Sequence, residues 1–148
     1  ALNGDGKNVG FLDIINDYGS TKTGNLAYFY AGICYLRLND YNSAVEHLEK
    51  FDGSDPMLQP VGLGALGDAY SKLNDFDKAL EYYKKAADFK NDFTAPIYWA
   101  KAATILEEKK QYTEALEIYT NIKNNYPESE AGRGADKYIA KYEILAGK

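Results

Sequence analysis

One phrase occurs three times along the chain: Leu38-Asn39-Asp40-Tyr41-Asn42-Ser43-Ala44, Leu73-Asn74-Asp75-Phe76-Asp77-Lys78-Ala79 and Lys109-Lys110-Gln111-Tyr112-Thr113-Glu114-Ala115. The closing alanines are 35 residues apart (44 to 79) and then 36 (79 to 115). Self-similarity at this period marks a stack of short structural repeats. A single repeat of that size cannot bury its own apolar face, so each copy must pack on the next. No other feature narrows the fold as far.

Helical periodicity flanks each phrase. Before the first, Tyr28, Ala31, Gly32, Tyr35 and Leu38 fall on one face, and after it Ala44, Leu48 and Phe51 do so. In the second copy the sets are Leu63, Leu66, Gly67, Tyr70 and Leu73, then Ala79, Tyr83 and Ala86. In the third they are Trp99, Ala102, Ala103 and Leu106, then Ala115, Tyr119 and Ile122. Gly32, Gly67 and Ala103 recur at one point of each first helix, and Ala44, Ala79 and Ala115 at one point of each second helix. Small residues there predict close helix–helix approach, with large side chains filling the gaps around them.

The linking turns follow the same logic. Asn39 and Asn74 suit the left-handed residue that ends a helix, and Asp40 and Asp75 suit the cap that starts the next. The third turn is chemically weaker, with Lys110 at the left-handed position and Gln111 and Glu114 standing in for the cap. Pro56, Pro96 and Pro127 punctuate the links between copies.

These residues resemble the tetratricopeptide repeat: a large apolar residue, Gly or Ala four on, Tyr or Leu three later, then Tyr/Phe-x-x-Ala, an aromatic or Leu four on, and a closing Pro. Residues 25–58, 60–92 and 96–129 look like three complete copies, with Asn91 where the family often has Pro and Ala103 in place of Gly. The resemblance implies an all-α fold, a right-handed α-solenoid of antiparallel helix pairs, spanning residues 1–148 as a single domain. Residues 9–18 align with the end of the third copy, Ile14 to Ser20 against Ile122 to Glu128, and read as a half repeat. That half repeat and the start at Ala1 lead to the expectation of a fragment, or a processed form, of a longer protein. Ala135, Tyr138, Ile139, Tyr142 and Leu145 form an amphipathic helix within 131–146 that is expected to cap the stack.

Composition excludes several functions. The net charge of −5 and pI of about 4.9 leave no basic face for nucleic acid. With one cysteine, Cys34, there is no internal disulfide, and no apolar run approaches the roughly 20 residues of a membrane span. One His (His47) and one Cys are too few for a zinc site. The two lie in adjacent helices, but no orienting third group or oxyanion donor accompanies them, so no catalytic residues are assigned. Asn3-Gly4-Asp5-Gly6 and Gly53-Ser54-Asp55 lack the spaced oxygen ligands of a calcium loop and read as turns. Gly132-Arg133-Gly134 reads as the flexible start of the last helix. No metal or cofactor is expected.

The resemblance implies instead a groove for partner proteins on the first helices. Carried over by position, it comprises Leu26, Phe29, Tyr30, Ile33 and Arg37, then Val61, Gly64, Ala65, Asp68 and Lys72, then Ile97, Ala100, Lys101, Thr104 and Glu108. Phe29, Ile33 and Leu36 make a second apolar stripe on a helix that already has a core stripe, which demands cover by either an upstream helix or a partner. Gly64, Ala65 and Ala100 would leave room for a peptide or helix. Family members that grip a carboxylate tail use Lys and Asn where Phe29 and Ile33 stand, Asn at Ala65, and Lys and Arg at Ile97 and Lys101. Only Lys101 is cationic, so that mode is rejected.

The Tyr-x-x-Ser/Thr ends (Tyr18 to Thr21, Tyr126 to Ser129) look similar to membrane-anchored repeat proteins of the bacterial envelope that serve secretion and outer-membrane assembly. They imply an extracytoplasmic setting, with a cytoplasmic one as the alternative. The leading expectation is thus a non-enzymatic scaffold for a peptide or helix of a partner protein. The alternative is an assembly module that pairs with itself through its terminal faces.

Overall fold

A computed structural model describes residues 1–53 and 55–147. Among these the secondary structure is entirely helical: α1 (Phe11–Tyr18), α2 (Lys22–Arg37), α3 (Tyr41–Lys50), α4 (Leu58–Lys72), α5 (Phe76–Ala87), α6 (Ala95–Glu108), α7 (Tyr112–Asn125), α8 (Glu130–Arg133) and α9 (Ala135–Leu145). The chain divides into two compact units, Ala1–Asp75 and Phe76–Lys148.

The repeated phrase is a helix-ending motif. After α2, Asn39 takes a left-handed φ of 61°, its N–H bonds the Leu36 carbonyl at 3.1 Å, and the Asp40 N–H reaches back to Tyr35 at 3.0 Å. This pair of reversed bonds satisfies carbonyls that a helix end leaves open. It recurs at Asn74 and Asp75, and again at Lys110 and Gln111. Lys110 adopts a φ of 58° although its side chain disfavours that region, because the two bonds hold it there. As expected, Asp40 caps α3, accepting from the Ser43 N–H at 3.2 Å. The stand-in cap of α7 does not form: the Gln111 amide turns to the Glu114 carboxylate at 2.7 Å and leaves the backbone without a side-chain cap.

In the first unit α1 packs on α2, α2 on α3, and α4 on both α2 and α3. Gly32 sets the α2–α3 spacing, since a Cβ there would lie 2.5 Å from Leu48 Cγ. Ala44 and Leu48 are buried opposite it. Leu38 departs from the core pattern and is 65% exposed, because it sits on the turn after the last helical residue. His47 is not the solvated imidazole that an isolated histidine suggests. Its ring lies 4.9 Å from Tyr35 and 6.1 Å from Tyr28, and Nδ1 donates to the Ser43 carbonyl at 2.8 Å. Among the described residues no hydrogen bond joins it to Cys34.

In the second unit α6 packs between α5 and α7, and α9 lies along α7. Ala79, Ala102, Ala103, Leu106, Ala115 and Ile122 are all buried there. Tyr138 of α9 stacks on Tyr119 of α7 with centroids 4.4 Å apart. The Tyr142 hydroxyl donates to Glu107 Oε2 at 2.7 Å, and Lys141 pairs with Glu107 Oε1 at 2.6 Å. The Lys141 hydrogen bond, then that of Tyr142, holds the Glu107 carboxyl below its usual value. Burial pushes the Tyr119 phenol up to about 12 and the Tyr142 phenol higher still.

Gly132-Arg133-Gly134 leads into the last helix as expected, with Gly134 at the N-cap of α9, but it is packed rather than open. It closes the short helix α8, and Gly132 lies so close to the preceding chain that a Cβ would stand 2.0 Å from the Tyr126 carbonyl. A Cβ on Gly24 would stand at the same 2.0 Å from the Tyr18 carbonyl. In both places the cap residue, Thr21 or Ser129, accepts from that glycine's N–H and donates its hydroxyl to the tyrosine carbonyl. Tyr-x-x-Ser/Thr-x-x-Gly is therefore one local structure used twice.

Candidate functional site

The residues expected to line a groove fall into two groups. On α2, Leu26, Tyr30, Ile33 and Arg37 follow helical spacing along one side. Leu26 is 36% exposed and Tyr30 41%, Arg37 is exposed and Ile33 half-buried. Tyr30 stacks on Phe11 of α1, centroids 5.4 Å apart. Phe29 departs from this group. It is only 5% exposed, with its ring 5.2 Å from Phe51 and Cδ2 3.7 Å from where a Gly62 Cβ would sit. Phe51 and α4 thus cover Phe29 from within the unit, and it serves the core. On α4, Gly64 and Ala65 are also buried, Val61 and Asp68 half-buried and Lys72 exposed.

On α6, Ile97 is 53% exposed, Thr104 and Glu108 are exposed and Ala100 is half-buried. The Lys101 ammonium lies over the Tyr83 and Tyr98 rings at 5.6 and 6.0 Å, a cation–π arrangement. Thr104 spends its hydroxyl on the Ala100 carbonyl at 3.1 Å.

A cleft of about 510 Å³ opens beside Ile97, within the second unit. Phe93, Pro96 and Ile97 form one side and Tyr126, Pro127 and Ala131 the other, with Asp92, Asn125, Glu128, Ser129 and Glu130 completing its lining. Phe93 is 86% exposed, yet its backbone is pinned. The Asn91 side chain accepts from the N–H groups of Phe93 and Thr94 at 2.9 and 3.3 Å, a turn that feeds into α6. On the far wall, Ser129 and Gly132 fix the path after Tyr126. Burial, then the Asp92 charge, raises the Tyr126 phenol.

The charged groups lining the cleft are all carboxylates. The nearby Arg133 guanidinium donates to the Glu128 backbone carbonyl. Of the two remaining motifs, the one at Asp5 is a closed loop, and in the other Ser54 lies outside the described residues. The Asp5 carboxylate accepts from the Lys7 and Asn8 N–H groups and from Asn8 Nδ2, which lowers it to about 2, the Asn8 side chain contributing most. The Asp55 carboxylate accepts from the Met57 and Leu58 N–H groups.

Sequence reasoning singled out Ile97 but missed Phe93 and the acidic rim. The available sign was a large aromatic placed in a linker, off every helical face, three residues before Pro96. The cleft thus sets apolar side chains beside three carboxylates.

Models of the tetratricopeptide repeat match residues 26–56, 60–93 and 101–129, together well over half of the chain and largely coincident with the three expected copies. No curated protein matches by sequence. The TPR2B domain of yeast Sti1, solved in complex with pHsp70, is similar with a TM-score of 0.66 at 21% identity, covering 81% of this chain and 96% of that one. A crystal structure of MamA is similar with a TM-score of 0.65 at 16% identity, covering 93% of this chain and 85% of that one. At these identities the likeness shows the fold. Among the described residues no helix is long and apolar enough to cross a membrane.

Proposed function

Because the chain belongs to the tetratricopeptide repeat family, we propose that it is a non-enzymatic scaffold that holds an extended or helical segment of a partner protein. The observation that carries this reading is apolar surface the fold does not need. Leu26 on α2 and Ile97 on α6 remain exposed, on the helices whose opposite sides hold the core. Covering such side chains contributes roughly 25 cal/mol per Å² of apolar area, so they favour a partner. The yeast Sti1 domain, which shares the fold, is found in complex with pHsp70, and this supports the same use here. With half-buried Ile33 and exposed Ile97 at positions where a carboxylate clamp would need polar or charged groups, the grip is apolar.

The setting we propose is protein secretion or assembly in the bacterial envelope, on its extracytoplasmic side and anchored by a segment other than these helices. The likeness of the Tyr18–Thr21 and Tyr126–Ser129 repeat ends to envelope proteins of this family supports it. The test is a pull-down from native membranes with the parent chain and with a Leu26→Asp, Ile97→Asp variant shown by circular dichroism to be folded. The reading expects a secretion or envelope-assembly component to be captured by the parent and lost by the variant. Equal capture by both, or capture of cytoplasmic proteins alone, contradicts it. Sedimentation in dilute solution is expected to show a monomer, and a stable dimer would favour the assembly alternative.

A further inference from the structure

From the cleft at the start of α6 we infer a more specific partner: a short peptide segment that places one bulky apolar side chain between Phe93 and Ile97 and a lysine or arginine against the carboxylates at the rim. This rests on the scaffold reading and specifies the chemistry of what is held.

Three observations support it. The cleft, at about 510 Å³, has the volume of a small-ligand or side-chain pocket. Its walls are built from apolar groups, Phe93, Pro96, Ile97, Pro127 and Ala131, and Phe93 projects into solvent from a turn that Asn91 holds fixed. An exposed aromatic on a backbone already held in place has no backbone ordering left to lose on binding, which favours its use as an interface anchor.

The charge pattern then selects the neighbour of the apolar residue. Asp92, Glu128 and Glu130 are all exposed and converge on one opening from two separate stretches of chain. The nearby cation, Arg133, is turned onto the Glu128 carbonyl. Three carboxylates around an apolar floor repel acidic segments and draw basic ones, and the net charge of −5 acts in the same direction at longer range. An apolar residue flanked by Lys or Arg satisfies both parts of the surface. An apolar residue in an acidic segment satisfies one and opposes the other.

The test is selection of a random twelve-residue peptide library on the whole chain, followed by affinity measurement with the enriched peptides by fluorescence anisotropy. Three variants are compared: Phe93→Ala, Glu128→Lys with Glu130→Lys, and Leu26→Asp. All of these positions are exposed, and circular dichroism checks the fold. The expected result is enrichment of peptides with a large apolar residue within two positions of Lys or Arg. Their affinity should fall about tenfold or more with Phe93→Ala and with the double charge reversal, weaken with added salt, and fall less with Leu26→Asp than with either cleft variant. Peptides that are acidic or lack the basic flank overturn the inference. Peptides lost with Leu26→Asp but kept by both cleft variants overturn it while leaving the scaffold reading intact. No enrichment over an unrelated folded protein counts against both.

Discussion

The spacing of α2 and α3 rests on the absence of a side chain at Gly32, and a double-mutant cycle with Leu48 measures how much. An alanine Cβ at position 32 would lie 2.5 Å from Leu48 Cγ and 2.8 Å from Cδ2, both well inside the ordinary carbon contact of roughly 3.5 Å. Leu48 is 2% exposed and has little room to yield, so Gly32→Ala carries an overpacking cost of about 1–3 kcal/mol. Alanine's better helix propensity offsets roughly 1 kcal/mol of it. Leu48→Ala alone costs about 2–5 kcal/mol through lost burial and a cavity.

In the double variant the propensity gain persists and most of the overpacking disappears, because the Leu48 atoms that the new methyl would strike are gone and only the 3.3 Å approach to the Ala44 carbonyl stays. The coupling energy therefore reduces to the part of the overpacking cost that Leu48 causes: the double variant should be about 1–3 kcal/mol more stable than the sum of the single effects. Urea unfolding followed by helical circular dichroism on the four proteins gives each value. Additivity within about 0.5 kcal/mol would refute the argument that Gly32 is required by contact with Leu48.

Other expectations follow from the turns and the terminal helix. Gly132→Ala forces the Tyr126 carbonyl and Pro127 apart and should cost about 2 kcal/mol or more, whereas Gly134→Ala, whose nearest neighbour would be 3.6 Å away, should be close to neutral in the same urea assay. Lys110→Gly relieves a non-glycine residue at φ 58° and should raise stability by about 0.5–1 kcal/mol; a loss would show that the lysine side chain contributes more than its backbone strain takes away. The Glu107 carboxyl has a folded-state value below the usual 4.5, owing first to Lys141 and then to Tyr142. Its stabilisation is thus present above about pH 4.5 and lost as pH falls through the lower folded value. Near-ultraviolet circular dichroism of the stacked tyrosines should report loosening of α9 over that acid range, and Glu107→Gln should flatten the response.

The helix pairs were legible because the constraint on them is periodic. Gly32, Ala44, Ala79 and Ala115 stand at fixed offsets, and the turns at Asn39 and Asn74 need residues that tolerate a left-handed backbone. Lys110 shows that local chemistry is the weaker half of that signal, since reversed hydrogen bonds impose the same conformation on a residue that resists it. Phe29 was not legible as core. Helical spacing places it beside Leu26 and Ile33, and its burial follows from the approach of Phe51 and α4, which no single-helix pattern reports. Phe93 was missed for the opposite reason, because it lies in a linker where there is no period to depart from. The acidic rim draws on residues 92, 128 and 130, far apart in sequence and brought together only by α6 and the turn after α7. The link from Glu107 to Lys141 and Tyr142 is of the same kind.

Site-specific photocross-linking in the native organism tests the scaffold account most directly. A photoreactive phenylalanine analogue would be placed at Leu26 or Ile97, with exposed Glu81 of α5 as the control position. The account predicts a discrete cross-linked partner protein from Leu26 and Ile97 and none from Glu81. Absence of any product from the first-helix positions, or the same products from Glu81, would contradict it.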